Sequence, residues 1–111
     1  MGLTSTNQLQ VFLEKRDWVL ADGATGTNLF NMGLPSGNAP ELWNKTAPEK
    51  IKALYKSSVE AGSDLFLTNS FGGNRSRLKL HGAETYATEL SRISAEIGRE
   101  VADASGRNVI V

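Results

Sequence analysis

The sequence contains no cysteine and a single histidine among its 111 residues. The lack of cysteine excludes disulfide bonds, thiol nucleophiles and cysteine-ligated metal sites formed by these residues alone. Acidic and basic side chains number twelve each, and no long stretch carries one sign, so the basic surface typical of nucleic-acid binding is missing. No apolar run approaches the ~20 residues of a membrane span. We therefore expect a cytoplasmic protein with neither a nucleic-acid nor a membrane partner.

The pattern of hydrophobic residues predicts an alternation of helices and strands in one ordinary globular domain. Helices are predicted over residues 5–16, 25–32, 46–61 and 84–104, and strands over residues 18–21, 64–69 and 108–111. The third helix starts at a capping box formed by Thr46 and Glu49. Strands that alternate with helices are typical of a parallel α/β sheet.

The last predicted strand ends at Val111 with no helix to cover it and no strand to close the sheet. Since a (βα)8 barrel typically needs ~250 residues, we expect residues 1–111 to be the amino-terminal portion of a TIM barrel. This truncated single domain would be α/β, with about three parallel strands and their helices. Its open sheet edges predict self-association or association with the missing barrel segments.

The segment DGATGTN, residues 22–28, follows the first predicted strand and begins with Asp22. Carboxyl ends of strands are where α/β proteins place their chemistry, and Gly23 and Gly26 would let backbone N–H groups face a ligand. Asp22 could cap the next helix, or the loop could bind phosphate, although it lacks a Walker lysine and a third glycine. A third interpretation is an amino-acid site, with Asp22 binding the ammonium and loop amides the carboxylate.

The carboxyl end of the second predicted strand carries Thr68, Asn69 and, directly after it, Ser70, so their side chains should meet the Asp22 loop. They could bind a ligand, or they could satisfy backbone groups at the turn. A haloacid-dehalogenase-like phosphatase also pairs such segments and is a distant alternative. It requires two aspartates separated by one residue, but Leu20 and Ala24 occupy those positions around Asp22.

Several other side chains admit two interpretations each. Trp43 in a predicted loop either covers a ligand or anchors the loop, and Phe71 is either a core residue or a ligand contact. The only histidine, His81, is expected at the surface or at a cap. A short basic cluster indicates a solvated helix face or an attraction for an anionic donor; it comprises Arg75, Arg77 and Lys79.

Five motifs of the sequence together resemble the homocysteine S-methyltransferase family. They are DGATGT at 22–27, GL at 33–34, PELWN at 40–44, AGSD at 61–64 and LTNSFGGN at 67–74. The segment TNSFGGNR followed by RLKLH is most similar to the bacterial members named betaine-homocysteine methyltransferases. The resemblance covers about residues 15–111.

The resemblance implies an enzyme that transfers a methyl group from betaine or a similar small donor to the sulfur of homocysteine, forming methionine. It also implies a zinc ion, bound by three cysteines on later strands, that converts the thiol to a thiolate. Because this chain has no cysteine, we expect it to be inactive alone. The alternative is a non-catalytic binding or structural fragment.

The resemblance also implies roles for individual residues, none of them catalytic or metal-binding. Asp22 would bind the ammonium of homocysteine, and loop amides would bind its carboxylate. The implied substrate-binding residues are Asp22, Gly23, Ala24, Thr25, Thr68, Asn69 and Ser70. Betaine users place an aromatic residue where this sequence has Gly72, so the donor stays open.

Overall fold

The computed structural model describes residues 7–111, which are mostly helical. The α-helices are α1 (Gln8–Arg16), α2 (Gly26–Asn31), α3 (Trp43–Thr46), α4 (Pro48–Glu60), α5 (Arg75–Leu78) and α6 (Ala87–Ala104). Short 3-10 helices span Pro40–Leu42, Lys79–His81 and Glu84–Tyr86. The predicted start of the first helix, at residues 5 and 6, lies outside the described residues. No helix between residues 7 and 111 has the length and apolar character needed to traverse a bilayer.

The predicted parallel sheet is wrong, and with it the α/β assignment as a TIM-barrel portion of about three strands. Within residues 7–111 the only pairing is one isolated parallel bridge between Leu65 and Ile110. Phe66 N–H donates to the Ile110 carbonyl at 3.1 Å, and Asp64 N–H donates to the Leu20 carbonyl at 2.7 Å. The three apolar runs are extended and adjacent, but a strand requires consecutive ladder bonds, which these runs do not form.

The core lies mainly between α4 and α6, as their apolar spacing predicts. Tyr55 of α4 packs its ring 4.8 Å from the ring of Phe66, which connects the helices to the central extended segment. Buried core residues on the two helices include Ile51, Leu54, Tyr55, Val59, Ile97 and Val101. A smaller cluster is formed by Ala39, Leu78, Ala83 and Leu90.

The predicted capping box at the start of α4 does not form. Ala47 occupies the N-cap position without a side-chain hydrogen bond. The Thr46 hydroxyl instead donates to the Leu42 carbonyl at 3.0 Å, because α3 extends to Thr46. The helix itself is confirmed, and it begins at Pro48, where a missing N–H costs nothing.

Asp64 joins the first extended segment to the rest of the protein. Its buried carboxylate accepts a bond from Leu20 N–H at 3.0 Å and lies 2.7 Å from the Arg16 guanidinium and 3.6 Å from that of Arg107. The hydrogen bonds from Arg16 and Leu20 hold the pKa of Asp64 below its usual value. Residues 16–20 are thereby held beside the second extended segment, which determines where the loop at residues 22–28 starts.

Candidate functional site

A cavity of about 420 Å³ opens where the first loop meets the end of the second extended segment. Thr25 and Gly26 border it on one side, and residues 67–72 border it on the other. The remaining walls are formed by Ala39, Pro40, Glu41, Arg77, Leu80 and His81. The cavity therefore combines hydroxyl, amide and carboxylate groups with apolar side chains.

The structure brings four of the seven predicted substrate-binding residues to this cavity. These four are Thr25, Thr68, Asn69 and Ser70. Asp22, Gly23 and Ala24 do not line it, although they directly precede Thr25 in the chain. The two predicted segments thus converge at one place, but the first loop contributes only Thr25 and Gly26 to the cavity wall.

Asp22 connects the first loop to this wall. Its Oδ2 accepts a hydrogen bond from the Leu67 N–H at 3.1 Å, and Leu67 lines the cavity. The N-cap of α2 is Thr25, which makes no side-chain capping bond. The carboxylate of Asp22 is therefore not the cap of α2, and it binds the backbone of the neighbouring segment instead.

The glycines of the first loop are not required by its backbone conformation. Neither Gly23 nor Gly26 has a positive φ, and a Cβ added at either position would meet no atom within 4 Å. Open space beside both residues leaves the loop accessible from outside.

Asn69 is buried, and its side-chain amide nitrogen donates hydrogen bonds to other groups of the protein. Its Nδ2 donates to the Pro40 carbonyl and to Asn44 Oδ1, both at 2.9 Å. Its backbone N–H donates to the Tyr55 hydroxyl at 2.7 Å, and burial raises the pKa of Tyr55. Asn69 thus holds the cavity floor in place, and Oδ1 is the polar atom of its side chain that these bonds leave for a ligand.

Thr68 and Ser70 form a pair of hydroxyls at the cavity. Their oxygens are 2.7 Å apart, and Ser70 N–H donates to the Thr68 carbonyl at 2.8 Å. A hydroxyl pair of this kind can donate one hydrogen bond and still accept others. The pair therefore offers both a donor and an acceptor to a small polar ligand.

Two aromatic residues, each with two open interpretations, have different surroundings. Trp43 is the first residue of α3 rather than part of a loop as predicted, and it is half-buried against the core, with the Lys50 ammonium 4.5 Å from its ring centroid, so it anchors this helix. Phe71 is 86% exposed and lines the cavity, with the Arg77 guanidinium 5.5 Å from its ring centroid. Phe71 is therefore not a core residue.

Glu41 is a cavity residue to which the sequence interpretation gave no role. It is only 6% exposed, and its Oε2 accepts a hydrogen bond from the Gly72 N–H at 2.9 Å. The available signal was its place in the PELWN motif, where a charged residue stands among residues that pack inside the protein.

The residues present do not fit the zinc that the resemblance implies. The sequence has no cysteine and only His81 as an imidazole ligand. Among residues 7–111 no three His, Cys, Asp or Glu side chains are grouped so that they could hold a metal ion. A zinc ligand set is therefore not supplied by this part of the chain.

A family model described as homocysteine S-methyltransferase matches residues 19–111 of the sequence. The chain belongs to this family. The resemblance carried by the five motifs is thus confirmed, and it supports the methyltransferase interpretation over the phosphatase alternative. Both segments that form the cavity, at residues 25–26 and 67–72, lie inside the matched region.

Family relatives include the methionine synthases of two mycobacteria. The protein of Mycobacterium leprae is 32% identical over 116 residues, which cover 93% of this chain and 10% of the relative. The protein of Mycobacterium tuberculosis is 32% identical over 94 residues, which cover 79% of this chain and 8% of the relative. The chain therefore spans about a tenth of the length of these relatives.

The structure is also similar to the solved homocysteine methyltransferase MmuM from Escherichia coli. Its oxidized form superposes with a TM-score of 0.74 at 26% identity, over 89% of this chain and 35% of that protein. The metallated form gives a TM-score of 0.76 at 24% identity, over 95% and 39%, and shows the shared fold.

Proposed function

We propose that this chain supplies the homocysteine-binding part of a methyltransferase, which transfers a methyl group from betaine or a similar small donor to homocysteine sulfur to form methionine. Family membership supports the reaction class. The observation that carries the proposal is the convergence of the first loop with Thr68, Asn69 and Ser70 at one cavity. A small zwitterion needs such a mixture of charged and hydrogen-bonding groups.

Homocysteine would bind with its polar head at the first loop. Asp22 would bind the ammonium through Oδ1, while Oδ2 keeps its bond to Leu67 N–H. The backbone amides of Gly23, Ala24 and Thr25 would bind the carboxylate. Thr68, Asn69 Oδ1 and Ser70 would contribute hydrogen bonds within the cavity. The role of these residues is to bind and orient the acceptor, which lowers the entropic barrier to transfer.

Thiol activation falls outside the proposed role of this chain. A zinc ion, when bound, would stabilise the homocysteine thiolate, but its ligands would have to come from residues beyond these 111. None of the seven proposed binding residues takes or gives a proton in the reaction. Because these residues bind the substrate and the metal would activate the thiol, we expect the isolated chain to bind homocysteine without catalysing methyl transfer.

Calorimetric titration of the 111-residue chain tests the proposal with two matched ligands. L-Homocysteine should bind, and 4-mercaptobutyrate, which lacks only the ammonium, should bind at least about tenfold more weakly because Asp22 loses its partner. Absence of homocysteine binding to a folded chain would favour the non-catalytic structural alternative. Equal affinity for the two ligands would refute the role of Asp22.

A further inference from the structure

Glu41 places a buried carboxylate at the cavity, and among residues 7–111 it has a single hydrogen-bond donor. The side chain is more than nine-tenths buried, and Gly72 N–H binds Oε2 at 2.9 Å. Among residues 7–111 none of the ion pairs within 4 Å includes Glu41. A buried carboxylate normally has a cationic partner or several donors, because its desolvation is costly. This carboxylate is therefore incompletely compensated by the protein.

The two other ionisable residues at the cavity do not neutralise Glu41. The Arg77 guanidinium lies against the Phe71 ring, 5.5 Å from its centroid, and makes no ion pair with Glu41 within 4 Å. His81 is exposed at the edge of the cavity. The local charge that a small ligand meets next to Gly72 is consequently that of the Glu41 carboxylate.

The other walls near Glu41 are largely apolar and include one exposed ring. Contact with aliphatic side chains is more favourable for a cation that carries carbon substituents than for a metal ion, which would have to lose its water ligands. The ring of Phe71 attracts cations through its negative face, as its contact with Arg77 illustrates. The apolar wall residues are Ala39, Pro40, Leu67, Phe71 and Leu80.

The absence of a side chain at Gly72 makes room for this arrangement. A Cβ at this position would lie 2.9 Å from Glu41 Oε1 and 3.1 Å from Oε2. The carboxylate of Glu41 thus occupies the space into which any side chain at position 72 would project. The negatively charged Glu41 carboxylate therefore lies where a side chain of residue 72 would otherwise be.

We propose that Glu41 binds the cationic centre of an organic ligand in this cavity, an alkylated onium group of the methyl donor, since the ammonium of homocysteine is assigned to Asp22. This proposal deepens the proposed function and rests on it only for the reaction that the ligand undergoes. The juxtaposition that carries it is a nine-tenths-buried carboxylate, without an ion-pair partner among residues 7–111, beside apolar walls and the Phe71 ring.

The test compares choline with 3,3-dimethyl-1-butanol, its neutral isostere, by NMR titration of the ¹⁵N-labelled 111-residue chain. Choline should shift the Gly72 amide resonance and bind at least about tenfold more tightly than the neutral alcohol. Glu41→Gln keeps an acceptor for Gly72 N–H and should abolish this preference. Glu49→Gln removes the same charge from an exposed site on α4 and should preserve it.

A parallel titration with homocysteine checks that the partner of Glu41 is the onium group. Glu41→Gln should weaken the binding of choline and leave that of homocysteine unchanged, because the homocysteine ammonium is assigned to Asp22. Equal binding of choline and its neutral isostere to the unmodified chain would overturn the proposal, and so would a loss of homocysteine binding alone in Glu41→Gln. Choline binding without homocysteine binding would support Glu41 and reject the proposed function.

Discussion

The carboxylate of Asp22 accepts a hydrogen bond from the backbone N–H of Leu67, 3.1 Å away and 45 residues along the chain. This contact joins the loop after the first extended segment to the wall of the cavity. One oxygen of Asp22 is therefore structural, and the other makes no hydrogen bond to residues 7–111. The two roles can be separated by substitutions that remove either the charge alone or the whole carboxylate.

Asp22→Asn retains an acceptor for Leu67 N–H, whereas Asp22→Ala removes it. Both variants should weaken homocysteine binding by ~2 to 5 kcal/mol, because the ligand ammonium loses its charged partner. Only Asp22→Ala should lose folding stability, by about 1 kcal/mol. Calorimetry and urea unfolding measure the two effects, with Asp103→Asn at an exposed position as the control. Unchanged affinity in Asp22→Asn would leave Asp22 a purely structural role.

Gly72→Ala should disturb the cavity because its Cβ would lie 2.9 Å from Glu41 Oε1. We expect a loss of about 1–3 kcal/mol in the free energy of unfolding. In the Glu41→Ala background the same substitution should cost much less, since the opposing carboxylate is gone. Gly23→Ala is the matched control, because its Cβ enters open space. Urea denaturation that finds equal costs in both backgrounds would contradict the contact.

Asp64 should make the protein acid-sensitive. The Arg16 guanidinium and the Leu20 N–H hold the pKa of Asp64 below its usual 3.8 in the folded state. The stabilisation is therefore complete above the unfolded-state pKa and disappears as the pH falls through the lower folded-state pKa. The free energy of unfolding should decline below about pH 4.

Asp64→Asn provides the comparison for this pH dependence. The variant should be less stable at pH 7 and should show a flatter decline in acid, because it has no carboxylate to protonate. Asp103→Asn, which removes an exposed carboxylate 3.0 Å from Arg99, should keep the acid dependence of the unmodified chain. Parallel curves for Asp64→Asn and the unmodified chain would show that Asp64 does not cause the decline.

Tyr55→Phe should destabilise the floor of the cavity. The Tyr55 hydroxyl accepts the Asn69 N–H at 2.7 Å, and the substitution leaves that buried donor without its acceptor. Thermal or urea unfolding should show a loss of about 1–3 kcal/mol. Tyr86→Phe alters an exposed tyrosine and should be neutral. A stable Tyr55→Phe variant would indicate that water replaces the hydroxyl.

The exposed apolar residues around the cavity predict association of the chain with itself or with further segments of the protein. Leu67, Phe71 and Leu80 are 69%, 86% and 82% exposed. Sedimentation velocity should show mass that increases with concentration, and Leu80→Gln should reduce this association. If the unmodified chain and Leu80→Gln were both monomeric at all concentrations, these side chains would be exposed to solvent without causing association.

The sequence predicted the long helices well because helical hydrogen bonds and apolar spacing are local. The stripes that include Leu54 in α4 and Ile97 in α6 are buried as their spacing indicates. The sequence failed to predict the strands correctly, because three or four apolar residues in a row favour extended backbone without specifying which groups on another segment they pair with. Leu65 and Ile110 form only an isolated bridge.

In the candidate site, too, the local features were predicted from the sequence and the contacts between distant segments were not. The motifs at residues 22–27 and 67–74 indicated the family and two converging segments, since each motif is a local signature. The roles of Glu41 and Asn69 could not be read from such signatures. Glu41 meets Gly72 across 31 residues, and Asn69 meets Asn44 across 25.

By itself, then, the sequence determined the family, the principal helices and the absence of cysteine ligands. The tertiary structure alone decided that the carboxylate at the cavity belongs to Glu41, while Asp22 binds the backbone of Leu67. The physical reason is that burial and hydrogen bonding of a polar group depend on packing between distant segments. A local sequence pattern predicts which residues are buried, but it does not predict which residues of distant segments contact one another.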